Sequence, residues 1–260
     1  MSALLQQVGE NQVAGFVLVL GRLGPMFLLA PLFSSRIVPM RARAVAAVAL
    51  AVGLSPLAVH GRTIPLDALG FGGLMLKEIL VGLAYAFVIA SVFAAVSAAG
   101  SLLDTLVGFS YGSLVDPLTG TQSTVLAQAY GLFATMVLIA IGGDRLMIFG
   151  LARTYDTVPL LATPSLRAMT GGVDHAFVSI LGSALALAAP VVIALVITDA
   201  AFGAVSRVVP TLNVFALGFP AKIAVGLLMI GATLPFAANW ISDQMQSSVG
   251  AAFHTIARAG

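Results

Sequence analysis

The chain contains no cysteine. That excludes disulfides, thiolate catalysis and cysteine metal sites. Charge is almost as scarce: of the 260 residues, 8% are Asp, Glu, Lys or Arg, against about 25% in a soluble domain. Such a chain cannot build a normal solvated surface. With 60% hydrophobic residues and a mean hydropathy of +1.07, it reads as an integral membrane protein. Twelve basic residues against ten acidic ones leave a net charge of only +2. No basic stripe interleaved with aromatics is present, so nucleic acid is not an expected partner. His60, His175 and His254 are scattered through loops and the tail, where packing or surface roles outnumber metal ligation. No HExxH, GxSxG or P-loop is recognised, so no catalytic residues, metal site or cofactor are expected. The opening MSALLQQVGENQ lacks a basic region and carries Glu10. It does not resemble a cleaved signal, and the first span is expected to direct its own insertion.

What is present is a series of apolar runs. Residues 13–33 are long enough to cross a bilayer, with Arg22 inside them and Gly24-Pro25 expected to kink the helix. Arg36, Arg41 and Arg43 then form the densest positive cluster. By the positive-inside rule it faces the cytoplasm and puts the N-terminus outside. A shorter Ala/Val run, 44–59, ends near Pro56. Lys77 and Glu78 head the run 79–99, whose recurrent small residues permit close helix approach. Runs at 125–143, 176–198 and 223–238 complete about six apolar helical segments. Residues 146–173 read as a helix end and interfacial connector, with Asp174 capping a helix that begins at His175. The stretch from Arg207 through Pro210, Gly218 and Pro220 to Lys222 reads as irregular. From Trp240, Ile241, Met245, Val249, Phe253 and Ile256 recur at helical spacing, so 240–258 is expected to be an amphipathic tail facing an interface or a partner. Prolines at 25, 31, 39, 56, 190, 210, 220 and 235 are expected to break most of the helices. No convincing internal repeat stands out.

The centre of the chain, 100–124, is apolar yet irregular. Glycines 100, 108, 112 and 120 weaken any regular helix, and Asp116-Pro117 reads as a break followed by a restart. At membrane depth such backbone is tolerated only where it is packed in protein or lines a cavity. The segment is therefore expected to face a pore or a partner, the alternative being an ordinary loop between spans. Seven charges lie in or beside apolar runs: Arg22, Lys77, Glu78, Asp104, Asp199, Arg207 and Lys222. Insertion scales put each at roughly 2.5–3.5 kcal/mol at a helix centre. They are expected to be paired and buried, to lie at subunit interfaces, or to line a wet path. Asp199 and Arg207 form a candidate pair across a bend near Gly203, with partner subunits as the alternative for both. The expected fold is all-α and membrane-associated, built of kinked and broken helical hairpins in one domain over 1–260. A small-solute secondary transporter is a rival reading, disfavoured by the lack of internal pseudo-symmetry. An intramembrane enzyme lacks a convergent Asp/His/Ser set.

Several motifs resemble those of the FliR family of type III secretion export proteins. The stretch RLGPMFLLAPLFSSRIVPMRAR carries the pattern Arg22, Pro25, Ala30-Pro31 and Pro39-x-Arg41. The resemblance continues through KEILVGLAYAF and LVGFSYGSLVDPLTGTQS, and closes with APVVIALVITDAAFGAVSRVVPTLNVFALGFPAK. Thr211 stands where many relatives carry Gln, which puts any role of that side chain in doubt here. The resemblance implies a non-enzymatic subunit of a helical export gate, flagellar or of the homologous virulence-type system, through which unfolded polypeptides pass. It implies no cofactor. It implies FliP-like and FliQ-like partners, an attached FlhB-like subunit and membrane lipid. It also implies an inner-membrane location at the flagellar basal body, with the assembled gate partly on the periplasmic side. The family's channel plug corresponds to about 107–122, including Gly108, Phe109, Tyr111, Gly112, Leu114, Asp116 and Pro117.

Overall fold

A computed structural model describes residues 2–34, 38–59, 63–109, 125–209 and 213–257, and among them every regular element is a helix. In order these are α1 (Ser2–Leu29), α2 (Pro31–Ser34), α3 (Met40–Val59), α4 (Ala68–Val107), α5 (Val125–Ala140), α6 (Gly143–Thr157), α7 (Leu166–Val208) and α8 (Val214–Ala257). Five helices, α1, α3, α4, α7 and α8, are long and apolar enough to cross a membrane, and α5 with α6 add a broken sixth candidate. The fold is an all-α membrane protein.

Five of the prolines expected to kink or break helices, Pro25, Pro56, Pro190, Pro220 and Pro235, lie within helices that continue past them. A proline removes one backbone hydrogen bond, but in an apolar setting unwinding the turn would orphan several more. Three other boundaries also differ from expectation. The helix expected to start at His175 starts at Leu166, so Asp174 lies within α7 and not at its cap. The connector expected over 146–173 contains the 15-residue helix α6. Much of the irregular stretch before Lys222 is the first turns of α8, where the Asn213 side chain accepts from the Ala216 N–H at 3.1 Å. Asn213 is thus an N-cap, which the sequence reading passed over. Real breaks fall elsewhere. Gly142, between α5 and α6, holds a left-handed φ of 68°, a conformation that glycine adopts without strain.

The chain forms two compact units: residues 1–91, 141–177 and 245–260 in one, 92–140 and 178–244 in the other. In the first, Leu18, Leu23 and Met26 of α1, Val81, Tyr85 and Ile89 of α4, and Met147 and Leu151 of α6 are buried together with Met245 and Val249 of α8. The Tyr85 hydroxyl donates to the Met147 carbonyl at 2.8 Å. The tail periodicity is real, but its outcome differs from expectation. Met245 and Val249 bury themselves in this unit, and Ile241 is buried in the other, so none of the three is presented to a partner. The second unit buries Val96, Leu103 and Val107 of α4, Leu126, Tyr130, Ala134 and Leu138 of α5, and Leu187, Val191 and Leu195 of α7. The α5 set recurs every fourth residue, one ridge of a helix.

Glycine matters where helices touch most closely. A Cβ on Gly82 of α4 would overlap the Arg22 backbone carbonyl of α1, whereas one on Gly72 would meet nothing within 4 Å. Gly82→Ala should therefore destabilise the first unit by about 1–3 kcal/mol through forced separation of α1 and α4. Gly72→Ala should be neutral or stabilising by up to about 1 kcal/mol. Thermal unfolding of the two purified variants checks this; equal midpoints would contradict the close α1–α4 approach.

Candidate functional site

Two arrangements collect most of the charges singled out in the sequence. The first lies in the first unit. Arg22 of α1 and Glu78 of α4 are completely buried. Two parallel hydrogen bonds join them, Nε to Oε2 at 2.5 Å and Nη2 to Oε1 at 3.0 Å. The remaining guanidinium edge donates from Nη1 to the Thr154 hydroxyl at 3.0 Å and from Nη2 to the Val158 carbonyl at 2.9 Å. The Tyr155 ring covers one guanidinium face, 4.0 Å from its centre, a cation–π contact. Lys77 reaches Glu78 Oε1 at 2.7 Å and donates to the Pro159 carbonyl at 3.3 Å and to that of Leu160.

Two cations thus share one carboxylate. The excess positive charge meets three consecutive carbonyls, 158 to 160, just past the C-terminus of α6. That end of a helix carries partial negative charge. Thr154 relays the contact into α6 by donating to the Leu151 carbonyl at 2.6 Å. Every nitrogen of the Arg22 guanidinium meets an acceptor, whereas the buried Tyr155 hydroxyl meets none among the described residues. The arrangement has the chemistry of a fixed joint between α1, α4 and α6.

The second arrangement lies in the second unit, at the two ends of the central segment. Residues 110–124 are outside the described residues, and with them Tyr111, Gly112, Leu114, Asp116 and Pro117. The segment's anchors are described. Asp104 is 1% exposed. Its backbone carbonyl accepts from the Gly108 N–H at 3.2 Å, closing the last turn of α4. Its carboxylate Oδ1 accepts from the Leu126 N–H at 3.1 Å, in the first turn of α5. Gly108 follows with a φ of 105°, a conformation in which a side chain is strained. About one helical turn before Asp104, a Cβ on Gly100 would sit 2.5 Å from the Ala127 Cα. The chain therefore leaves α4 and enters α5 at neighbouring points. Residues 108–112 read GFSYG, the spacing of a nucleophile elbow, which the sequence reading overlooked. That elbow follows a strand; here the run follows helix α4.

The remaining charges lie elsewhere. Asp199 of α7 pairs with Lys222 of α8 at 2.6 Å. This corrects the expected Asp199–Arg207 pair. Helix α7 continues through Gly203 without a break, so residues eight apart are about 12 Å apart along the axis. Arg207 is exposed. Neither Thr154 and the Val158 carbonyl as partners of Arg22 nor the Pro159 and Leu160 carbonyls as partners of Lys77 were anticipated. The only signal was that Arg22 and Glu78 are opposite charges in apolar runs.

Sharing one carboxylate between two cations makes the partners unequal. Arg22→Leu leaves Glu78 still paired with Lys77. Glu78→Leu leaves two cations facing carbonyls, a hydroxyl and an aromatic ring with no counter-charge. Breaking a buried pair costs about 3–5 kcal/mol, and Glu78→Leu should stand at the upper end of that range with Arg22→Leu below it. Denaturant unfolding of both variants ranks them, and the reverse order would contradict the shared-carboxylate geometry.

Comparison with known proteins places the stretch that holds both arrangements within one family. The family model described as bacterial export proteins, family 1, matches residues 13–248, from α1 into the last turns of α8. The flagellar biosynthetic protein FliR of Bacillus subtilis is 33% identical over 218 residues, 83% of this chain and 84% of that protein. FliR of Escherichia coli is 28% identical over 80% of both chains. The surface presentation of antigens protein SpaR of Shigella sonnei is 31% identical over 158 residues, 60% of both chains. The match takes in Arg22, Glu78, Asp104, Thr154 and Asp199 alike, and by it the chain belongs to the FliR family of bacterial export proteins.

Proposed function

We propose that this chain, a subunit of the bacterial type III export apparatus, helps to form and close the channel through which unfolded flagellar proteins leave the cell. In this reading it works in the inner membrane within a complex of export components. Its neighbours are FliP-like and FliQ-like subunits, with an FlhB-like subunit attached, and part of the assembled gate lies on the periplasmic side. The virulence-type export role is the second reading, favoured only by the similarity to SpaR.

One observation carries the assembly reading. The apolar stretches of α7 and α8 are only 28% and 11% buried within the chain. Yet they hold the Asp199–Lys222 pair, whose carboxylate side chain is 55% exposed. Apolar surface alone is content in lipid, but an ion pair there is costly. Protein surface with polar groups is the better cover. The coupling between Asp199 and Lys222 should then depend on assembly. In a double-mutant cycle of Asp199→Leu and Lys222→Met, the isolated chain in detergent should show at most about 1 kcal/mol. The co-expressed complex should show more. Equal coupling in both would count against a partner covering this pair.

The segment at 107–122 is proposed to be the closure of the path. Phe109, Tyr111 and Leu114 supply bulk, and Gly108 and Gly112 supply backbone freedom. Shortening 108–115, or replacing the three bulky residues by Ala, should leave the complex assembled but leaky. Ion flux across vesicles containing the complex, with subunit composition checked in parallel, decides. A variant as tight as the parent removes the plug assignment, and a variant that does not assemble makes the segment structural.

A further inference from the structure

We propose that the cleft between α6 and the last turns of α8, bounded by Arg145, Phe149 and Arg153, binds the headgroup of an anionic phospholipid. Such a site is independent of how the channel closes, since all its residues belong to the first compact unit.

Arg145, Phe149 and Arg153 recur every fourth residue of α6, so they share one face of the helix. All three are exposed, Phe149 to 68%. Neither arginine has a hydrogen-bond or ion-pair partner among the described residues. That sets them apart from Arg22 and Lys77 in the same unit, whose charge is met by Glu78. Arg145 also stands in the first turn of α6, where the helix dipole adds to the positive potential instead of relieving it. Two carboxylates are near in sequence without answering these cations. Asp144 is about 100° round the helix from Arg145, and Asp156 is about one turn past Arg153. Both are exposed, and neither lines the cleft or pairs with an arginine. In an apolar setting an unanswered guanidinium is costly. Its counter-charge has to come from outside the chain.

Between this face and α8 lies a cleft of about 930 Å³, the size of a small-molecule site. Its floor is set by close packing. A Cβ on Gly150 would lie 2.7 Å from Val249 Cγ1 of α8, so the two helices cannot come nearer there. Gln246 and Gly250 form the α8 wall, and a Cβ on Gly250 would meet nothing within 4 Å. Among the described residues no carboxylate lines the cleft. The two arginines are about 12 Å apart along the helix axis. Each guanidinium can hold a phosphate with two parallel N–H donors. Phe149 stands between them as apolar surface. A free anion has no use for that ring, whereas the glycerol and first methylenes of a lipid lie well against it. Basic side chains around an exposed aromatic ring are the composition of segments at the headgroup boundary, and basic pockets between membrane helices take anionic headgroups. The occupant is therefore a phospholipid of net negative charge, such as phosphatidylglycerol.

The test uses the complete co-expressed complex in vesicles of phosphatidylglycerol and phosphatidylcholine. A trace of one lipid or the other carries a photoreactive diazirine, and labelled peptides are mapped by mass spectrometry. In the parent, peptides covering 141–153 and 245–257 should take up the phosphatidylglycerol label in preference to the phosphatidylcholine label by at least about fivefold, the worth of one arginine near a membrane. Arg145→Gln combined with Arg153→Gln should bring the two labels to parity there, with subunit composition unchanged. Gly250→Leu keeps both arginines but fills the cleft. It should lower labelling of these peptides by phosphatidylglycerol while the rest of the complex is labelled as in the parent. Equal labelling by the two lipids in the parent overturns the site, because the face then meets lipid without regard to charge. No labelling of these peptides, with the rest of the complex labelled, also overturns it, because a partner subunit then covers the face. A preference that survives the arginine changes or Gly250→Leu overturns it as well. If either variant does not assemble, the parent is read at low and high salt. A preference that falls with salt supports the site, and one indifferent to salt overturns it.

Discussion

A guanidinium buried in a chain this apolar has to have its donors met, and the first unit is organised around doing so. Arg22 takes its partners from three places far apart in sequence: Glu78, Thr154 and the carbonyl at Val158. Each contact is short, so α1, α4 and α6 have little freedom to shift against one another. Gly82 is needed because α4 passes directly over the Arg22 backbone. Lys77 adds a second cation at Glu78 Oε1, an oxygen that Arg22 Nη2 already reaches. A buried ion pair adds little net stability over a well-packed apolar substitute. Its effect here is on arrangement, since few other registers of the three helices satisfy the same donors.

The second unit is held by different means. Its only charge at full burial among the described residues is Asp104, and that group is met by a backbone amide, not by a cation. Close approach takes the place of ion pairing: Gly100 against Ala127, and Gly226 against Val107. Small residues allow backbones to come within van der Waals distance, where dispersion gains accumulate over many atoms. One unit is thus pinned by a polar joint and the other by fit.

Much of this was legible in the residues. The apolar runs mark the spans, and their composition alone gives the helical class. The charges in those runs mark the positions that need a partner, and Arg22, Lys77, Glu78 and Asp104 are all in polar contact in the fold. Their partners were less legible, because a hydroxyl such as Thr154 or a run of backbone carbonyls has no sequence signature. Proline misled because its local cost was set against helix propensity and not against the loss of hydrogen bonds in an apolar setting. The tail shows a third kind of error. The spacing of Ile241, Met245 and Val249 correctly gave a helix with one apolar face, but periodicity does not say what the face lies against, and here it lies inside the chain. The Asp199 pairing failed because sequence proximity stood in for spatial proximity; Lys222 is 23 residues away on the next helix.

The uninterrupted length of α4, α7 and α8 bears on how the chain sits in a bilayer. They have 40, 43 and 44 residues, or about 60–65 Å of helix at 1.5 Å per residue. The hydrocarbon layer is about 30 Å thick. Laying the whole of one such helix within it requires a tilt of about 60°, whereas membrane helices tilt by at most about 40°. Their apolar stretches, 37 to 40 residues each, therefore outrun the fatty-acyl layer by many ångströms. Hydropathy counts these segments as spans, but lipid depth can hold only part of them. The surplus needs protein to lie against, so the high hydropathy of this chain reports on contacts between subunits as well as on contact with lipid.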